Sequence, residues 1–245
     1  MKMITPRDIR LAVMTVSRSP EYIHTTLASL LLSDPLAHCL KGLHLVVGSA
    51  EANYLKHYGH HCRMEVHVTD EQDCQRLQEW TPHRRFCFNY HRCLTILPAD
   101  CHGICICEDD VIFRDHFVET LVAAINEIEQ ENGVAKYLLD LYIPDTFKRD
   151  PSCAEGKHWV KYDAESYYGT QCMFFPRSIV PEVAWMMHRF GVADYRAPGD
   201  LIIRQYALMT NSLYGTKQPL VQHIGLHSTG LAEFFHRSAA FDEYP

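Results

Sequence analysis

The stretch that most constrains this chain is Gly103 to Phe113, Gly-Ile-Cys-Ile-Cys-Glu-Asp-Asp-Val-Ile-Phe. Ile104 to Cys107 is an apolar run of the kind that fits a buried strand. It passes without a break into three carboxylates, Glu108, Asp109 and Asp110, and hydrophobicity resumes at Val111. Adjacent acids repel one another, and placing them beside a core strand is costly without a counter-charge. A divalent cation supplies that charge. Hard oxygen ligands suit magnesium or manganese, and such ions commonly hold a substrate diphosphate. The alternative is a solvated acidic turn at a strand end.

The rest of the chain supplies a setting for such a strand. Leu11 to Val16 is a near-continuous apolar run typical of a parallel strand buried on both faces. Ser19-Pro20 opens a helix over Glu21 to Leu32, which Asp34-Pro35 ends. Leu43 to Val47 and Met64 to Val68 read as further strands, so the opening is a βαβ unit with ligands expected at the carboxyl ends of its strands. Glu71 to Trp80 is a polar helical segment, and Arg84 to Leu97 is a firmer helix presenting Arg85 and Asn89 on its polar side. Beyond the acids, Asp115 to Gln130 is amphipathic, Tyr137 to Ile143 is a strand, and Pro144 to Lys161 reads as a long surface loop. Cys172 to Pro176 is a strand, Ser178 to Phe190 a helix, and Asp200 the N-cap of a helix running through Leu208. The expected fold is α/β, with a mixed, mainly parallel sheet flanked by helices in one domain over 1–245. Residues 1–110 form its nucleotide-binding half and 111–245 its acceptor-binding half.

Composition excludes several classes. The 245 residues carry 23 Lys and Arg against 30 Asp and Glu, a formal net charge of −7 with no long basic block, so nucleic acid is not an expected partner. The ten cysteines contain no Cys-x-x-Cys pair, and Cys105 and Cys107 alternate as small hydrophobes along the core strand. Neither a signal-like apolar start nor a membrane-length run is present. The expectation is a soluble, cytoplasmic protein for which peripheral membrane contact is possible; a luminal domain trimmed of its anchor would read the same way.

Three motifs in order resemble a known family. Cys-Glu-Asp-Asp-Val after a buried strand is similar to the DxD-type motif of GT-A fold glycosyltransferases. Ala197-Pro198-Gly199-Asp200-Leu201-Ile202 looks like the segment carrying the catalytic acid in that fold. Pro219 to Ser228, with Gln222-His223-Ile224-Gly225-Leu226-His227-Ser228, resembles the Gln-His-x-Gly-x-x-Ser segment of N-acetylglucosaminyltransferase IV and of the GPI-anchor N-acetylgalactosaminyltransferase, as does Tyr168-Gly169-Thr170-Gln171 before an apolar strand. The resemblance implies a metal-dependent inverting transfer of an N-acetylhexosamine or galactose from a UDP-sugar to a glycan or glycolipid hydroxyl. It makes Asp110 the direct ligand of Mn2+ or Mg2+, with Asp109 or Glu108 acting through water or on the ribose. His223 completes the metal site, with His227 as runner-up. Asp200 becomes the general base, Gly199 leaves room for the acceptor, and Tyr168, Gln171 and His227 line the sugar and acceptor side. Ser17, Arg18, Arg85, Asn89, Glu108 and Asp109 are the donor-side candidates.

Two other readings compete. A sugar-nucleotide nucleotidyltransferase shares the βαβ opening and needs acids for its metal, but usually has a Gly-rich loop after the first strand, whereas Thr15 to Pro20 contains no glycine. A noncatalytic carbohydrate- or metal-binding protein on the same fold is the third.

Overall fold

The computed structural model describes residues 3–17, 21–49, 57, 64–131, 133, 135–144, 147–149, 155–225, 238 and 241. In chain order, strand β1 (Ile9–Thr15) leads to helix α1 (Ile23–Ser33), then β2 (Gly42–Val47) and β3 (Met64–His67). Helices α2 (Glu71–Gln78) and α3 (Pro82–Thr95) precede β4 (Gly103–Glu108) and the short β5 (Val111–Phe113). Helix α4 (Phe117–Glu131), β6 (Leu138–Asp140), β7 (Trp159–Lys161) and β8 (Cys172–Pro176) follow. Helix α5 (Val180–Met186) runs into a π-helical stretch, Met187–Ala193, and α6 (Gly199–Thr210), β9 (Leu213–Thr216) and β10 (Val221–His223) close the described order.

Eight strands form one sheet in the order β3-β2-β1-β4-β8-β6-β9-β7. The pairings set β1 to β4, β6 and β9 in one direction and β7 and β8 in the other, so the sheet is mixed and mainly parallel. The apolar strands bury both faces, as a sheet covered by helices requires. Leu11, Val13, Leu45, Cys105 and Phe174 pack with Leu27 and Leu30 of α1 and Phe117, Leu121 and Ile125 of α4. Ala12, Met14, Val46, Ile106 and Phe175 face Tyr90 and Leu94 of α3, with Val183 of α5 and Ile203 of α6. The result is three layers, α/β/α. Helix α3 starts where the sequence sets Thr81 before Pro82: Thr81 Oγ1 accepts the Arg84 N–H at 3.4 Å, and proline suits the first turn.

From β1 the chain crosses to β2 and β3 on one side, and later places β4 on the other side of β1. A parallel sheet that reverses its order in this way opens a crevice at the strands' carboxyl ends, the usual ligand position. The register aligns Thr15 with Val47, and Met14 with Glu108, so these ends reach one edge together.

Several expectations are corrected. Trp159–Lys161, expected within a surface loop, is a strand paired antiparallel to β9, because Trp159 and Val160 are apolar enough to be buried there. Strand β6 stops at Asp140, and Ile143 adopts φ 51°, outside any strand geometry. The Ser178–Phe190 helix starts at Val180 and widens into the π-stretch, which carries Gly191 onto α3; a Cβ there would stand 2.6 Å from Cys87 Sγ. Pro198, not Asp200, is the N-cap of α6, and Asp200 sits in its first turn. The weakly helical tail expected after Gly230 lies outside the described residues apart from Ser238 and Phe241.

A close approach in the sheet is at Gly103, where a Cβ would come within 2.4 Å of Phe174 Cζ and 2.6 Å of the Phe175 carbonyl. Gly103→Ala therefore overpacks the β4–β8 seam, and equilibrium urea unfolding should show a loss of about 1–3 kcal/mol.

Candidate functional site

Glu108 closes β4, and Asp109 and Asp110 make the turn into β5. The antiparallel ladder of β5 with β10 sets His223 opposite Val111, and His223 Nε2 lies 3.3 Å from Asp110 Oδ2. The Ile224 N–H donates to the Asp110 carbonyl at 2.8 Å, fixing the chain just beyond the histidine. Gly225 comes next, where a Cβ would stand 2.3 Å from Asp110 Oδ2 and 2.8 Å from His223 Nε2. Only a residue without a side chain leaves that space open beside both atoms.

The three acids are held differently. Asp109 is 6% exposed and tied inward: Thr15 Oγ1 donates to its Oδ2 at 2.5 Å, and Thr26 Oγ1 of α1 donates to its carbonyl at 2.6 Å. Glu108 accepts from Thr170 Oγ1 at 2.9 Å, while its N–H donates to the Gln171 carbonyl at 2.9 Å. Burial, then the charge of Asp110, pushes the Glu108 carboxyl up to about 7, with His223 and the Thr170 hydrogen bond pulling the other way. Asp140, at the end of β6, is likewise raised to about 7 by burial, although it accepts the Tyr142 N–H at 2.9 Å. The Tyr142 ring stands edge-on to His223 with centroids 6.5 Å apart.

A divalent ion fits this donor set. Carboxylate oxygen and imidazole nitrogen suit manganese or magnesium held partly by protein and partly by substrate phosphate. Among the described residues, only His44, Glu65 and His67 bring three metal-binding atoms within 4.8 Å of one another. At the acid turn the close pair is Asp110 and His223, which leaves coordination positions for phosphate oxygens.

The remaining candidates fall around this turn. Tyr168 is half-buried; its hydroxyl is raised by burial first, then by the charges of Asp200 and Glu108, so both carboxylates act on the same ring. Gln171 and Thr170 enter β8 beside Glu108. Gly199 packs closely on α3, since a Cβ there would stand 2.7 Å from Phe86. Ser17 is exposed just past β1, and Arg85 is exposed on α3. Asn89 is buried, its Nδ2 would lie 2.2 Å from a Cβ at Gly48, and it accepts from Arg92 at 3.3 Å. Arg92 also donates to the Val47, His67 and Val68 carbonyls, so this pair ties α3 to the ends of β2 and β3. Arg18 and His227 lie outside the described residues. Sequence reasoning missed Thr15, Thr26 and Thr170, and left Gly225 without a role. Thr15 and Thr26 carry no sequence signal and Thr170 stood only as one letter of a motif, whereas a glycine two residues past the histidine could have been read as a close approach.

No protein-family model matches the chain, and no curated protein matches it in sequence. Matching folds among solved structures are numerous, 523 chains, which marks a widely used scaffold. One is described as 4-diphosphocytidyl-2C-methyl-D-erythritol synthase from Anaerococcus prevotii DSM 20548; it is 10% identical, covers 91% of this chain and 93% of its own, and has a TM-score of 0.52. The likeness establishes a Rossmann-like, GT-A-like fold. It corrects the functional expectation: the neighbour is by its name a synthase of a diphosphocytidyl polyol and not a glycosyltransferase, and the N-acetylglucosaminyltransferase IV group finds no support. No described helix is long and apolar enough to cross a membrane.

Two outcomes are expected. Gly225→Ala should weaken Mn2+ binding about tenfold or more, read from free Mn2+ by electron paramagnetic resonance. A carboxyl raised on folding binds extra protons between its unfolded and folded values, so its contribution to stability is present at low pH and lost as pH rises through about 7. Asp140→Asn keeps the Tyr142 contact and removes that loss. Its stability relative to the parent should therefore rise from pH 5 to pH 8 by about 2.7 kcal/mol, because roughly two pH units of that interval lie below the folded value, at roughly 1.4 kcal/mol per unit.

Proposed function

We propose that this chain is a divalent-cation-dependent nucleotidyltransferase of the sugar-nucleotide class, joining the nucleotidyl group of a nucleoside triphosphate to a sugar or polyol phosphate. The observation that carries the reading is the Asp110–His223 pair, 3.3 Å apart, at the carboxyl edge where the sheet reverses its order. The neighbour's name, a synthase of a diphosphocytidyl polyol, describes the same type of product.

An oxygen of the acceptor phosphate attacks the α-phosphorus, and the bond to pyrophosphate breaks. Manganese or magnesium bound here would offset charge on the phosphate oxygens. Asp110 and His223 are its protein ligands. Glu108, held by the Thr170 hydroxyl, is assigned to the ribose. Asp109 holds the turn in place through Thr15 and Thr26. The Thr15 to Pro20 segment has no glycine to cradle phosphates, so Ser17, Arg18 and Arg85 take the anionic oxygens by side chain. An acceptor phosphate is already ionised at neutral pH and needs no general base. Asp200 is therefore assigned to the acceptor's hydroxyls, together with Tyr168 and Gln171. Residues 1–110 hold the nucleotide and 111–245 the acceptor. A cytoplasmic site of action accords with the eight described cysteines standing as thiols.

Incubation with each nucleoside triphosphate, a panel of sugar and polyol phosphates and Mn2+ or Mg2+ should release pyrophosphate in a coupled assay. Asp110→Asn should lower that rate by at least about a hundredfold, and Asp200→Asn should raise KM for the acceptor more than it lowers kcat. Absence of pyrophosphate release across the panel, from protein that binds Mn2+, would overturn the reading.

A further inference from the structure

A second cluster lies at the far edge of the sheet, away from the acid turn. His44 on β2 faces Glu65 directly across the β2–β3 ladder, and His67 is two residues further along β3 on the same face. His44 Nδ1 stands 2.9 Å from His67 Nε2 and 3.5 Å from Glu65 Oε2, and the latter two atoms are 3.8 Å apart. A tetrahedral ion with bonds of about 2.0–2.1 Å sets neighbouring ligand atoms roughly 3.3–3.4 Å apart. The three distances bracket that value. His44 is fully buried while Glu65 is 65% exposed, so the triangle is anchored in the sheet and open to solvent on one side.

We propose that His44, Glu65 and His67 form a zinc-class metal site, distinct from the acid turn, whose affinity is held down by Arg10. Two imidazoles and one carboxylate select a borderline ion such as Zn2+ over magnesium, and the solvent side leaves the fourth position open. Arg10 is the restraint. Its Nη1 lies 2.8 Å from His44 Nε2, and a guanidinium only donates, so Nε2 accepts and the ring's proton sits on Nδ1, directed at His67. Gly42 makes room for this contact, since a Cβ there would lie 2.9 Å from His44 Nε2. Zinc must displace the Nδ1 proton to solvent beside a fixed positive charge. Metal-bound histidines ordinarily donate their second N–H to an acceptor, and Arg10 supplies the opposite.

The test uses the full chain carrying Asp110→Asn, so that the acid turn does not contribute, with ZnCl2 by calorimetry and CoCl2 by visible absorption. One equivalent of Zn2+ should bind, with tetrahedral cobalt bands. Glu65→Gln and His67→Ala should each weaken Zn2+ about tenfold or more, and both alter side chains at an edge strand, so thermal melts should show folded protein. Arg10→Gln, whose carboxamide oxygen can accept an Nε2 proton, should tighten Zn2+ by a similar factor. No Zn2+ binding in the Asp110→Asn chain, or binding unchanged by Glu65→Gln and His67→Ala, would overturn the site; weaker binding by Arg10→Gln would overturn the restraint. Either failure leaves the pyrophosphate assay untouched.

Discussion

Three consecutive carboxylates at the end of a buried strand set the terms for the rest of the molecule. Two unit charges about 5 Å apart repel by roughly 3 kcal/mol at an effective dielectric of about 20, and Asp109 and Asp110 are each only 6% exposed. A single hydrogen bond, worth about 0.5–1.5 kcal/mol net, does not offset that repulsion. The fold therefore treats each acid separately. Asp109 receives hydroxyls from β1 and α1, Glu108 is pushed toward its neutral form, and Asp110 is given a histidine. What remains is a site that a dication and a polyphosphate would complete.

The compensation is built from far parts of the sequence. His223 stands beside Asp110 because β10 returns to pair with β5, more than a hundred positions back along the chain. Gly225 and the Ile224 N–H hold that return at close range. Thr170 reaches Glu108 because β8 is inserted antiparallel beside β4. The mixed direction of the sheet is thus part of the site: a wholly parallel arrangement would present the amino end of β8 at the opposite edge, and Thr170 with it.

Much of this was legible in the sequence where one local rule dominated. Apolar runs such as Leu11 to Val16 and Ile104 to Cys107 fit doubly buried strands, and that reading puts the three acids at a carboxyl edge. Asp110 and His223 were paired in advance through a motif resemblance, and the β5–β10 ladder brings them to 3.3 Å. What was illegible depends on tertiary context. Trp159–Lys161 is a strand only because β9 offers an edge. Pro198 displaced Asp200 as the cap because proline already suits the turn into α6. Gly199 meets Phe86 across the packing of α6 on α3. The Arg10–His44–His67 chain crosses three strands and left no local pattern.

The reaction class was the hardest part to read from residues, for a chemical reason. An acid–histidine metal site stabilises charge growing on diphosphate oxygens whichever neighbouring bond breaks. The motifs that locate such a site are therefore blind to whether carbon or phosphorus is attacked. The discriminating group is the one that meets the nucleophile. A hydroxyl must lose its proton as it attacks and so requires a placed base, whereas a phosphate arrives ionised and requires only orientation. On the proposed reading Asp200, in the first turn of α6 and acting on the same Tyr168 ring as Glu108, would orient the acceptor's hydroxyls. Its carboxylate becomes a base only if a hydroxyl is the attacking group. On that reading the α6 side with Asp200 would meet the acceptor, while Asp110 and His223 would meet the metal and the nucleotide.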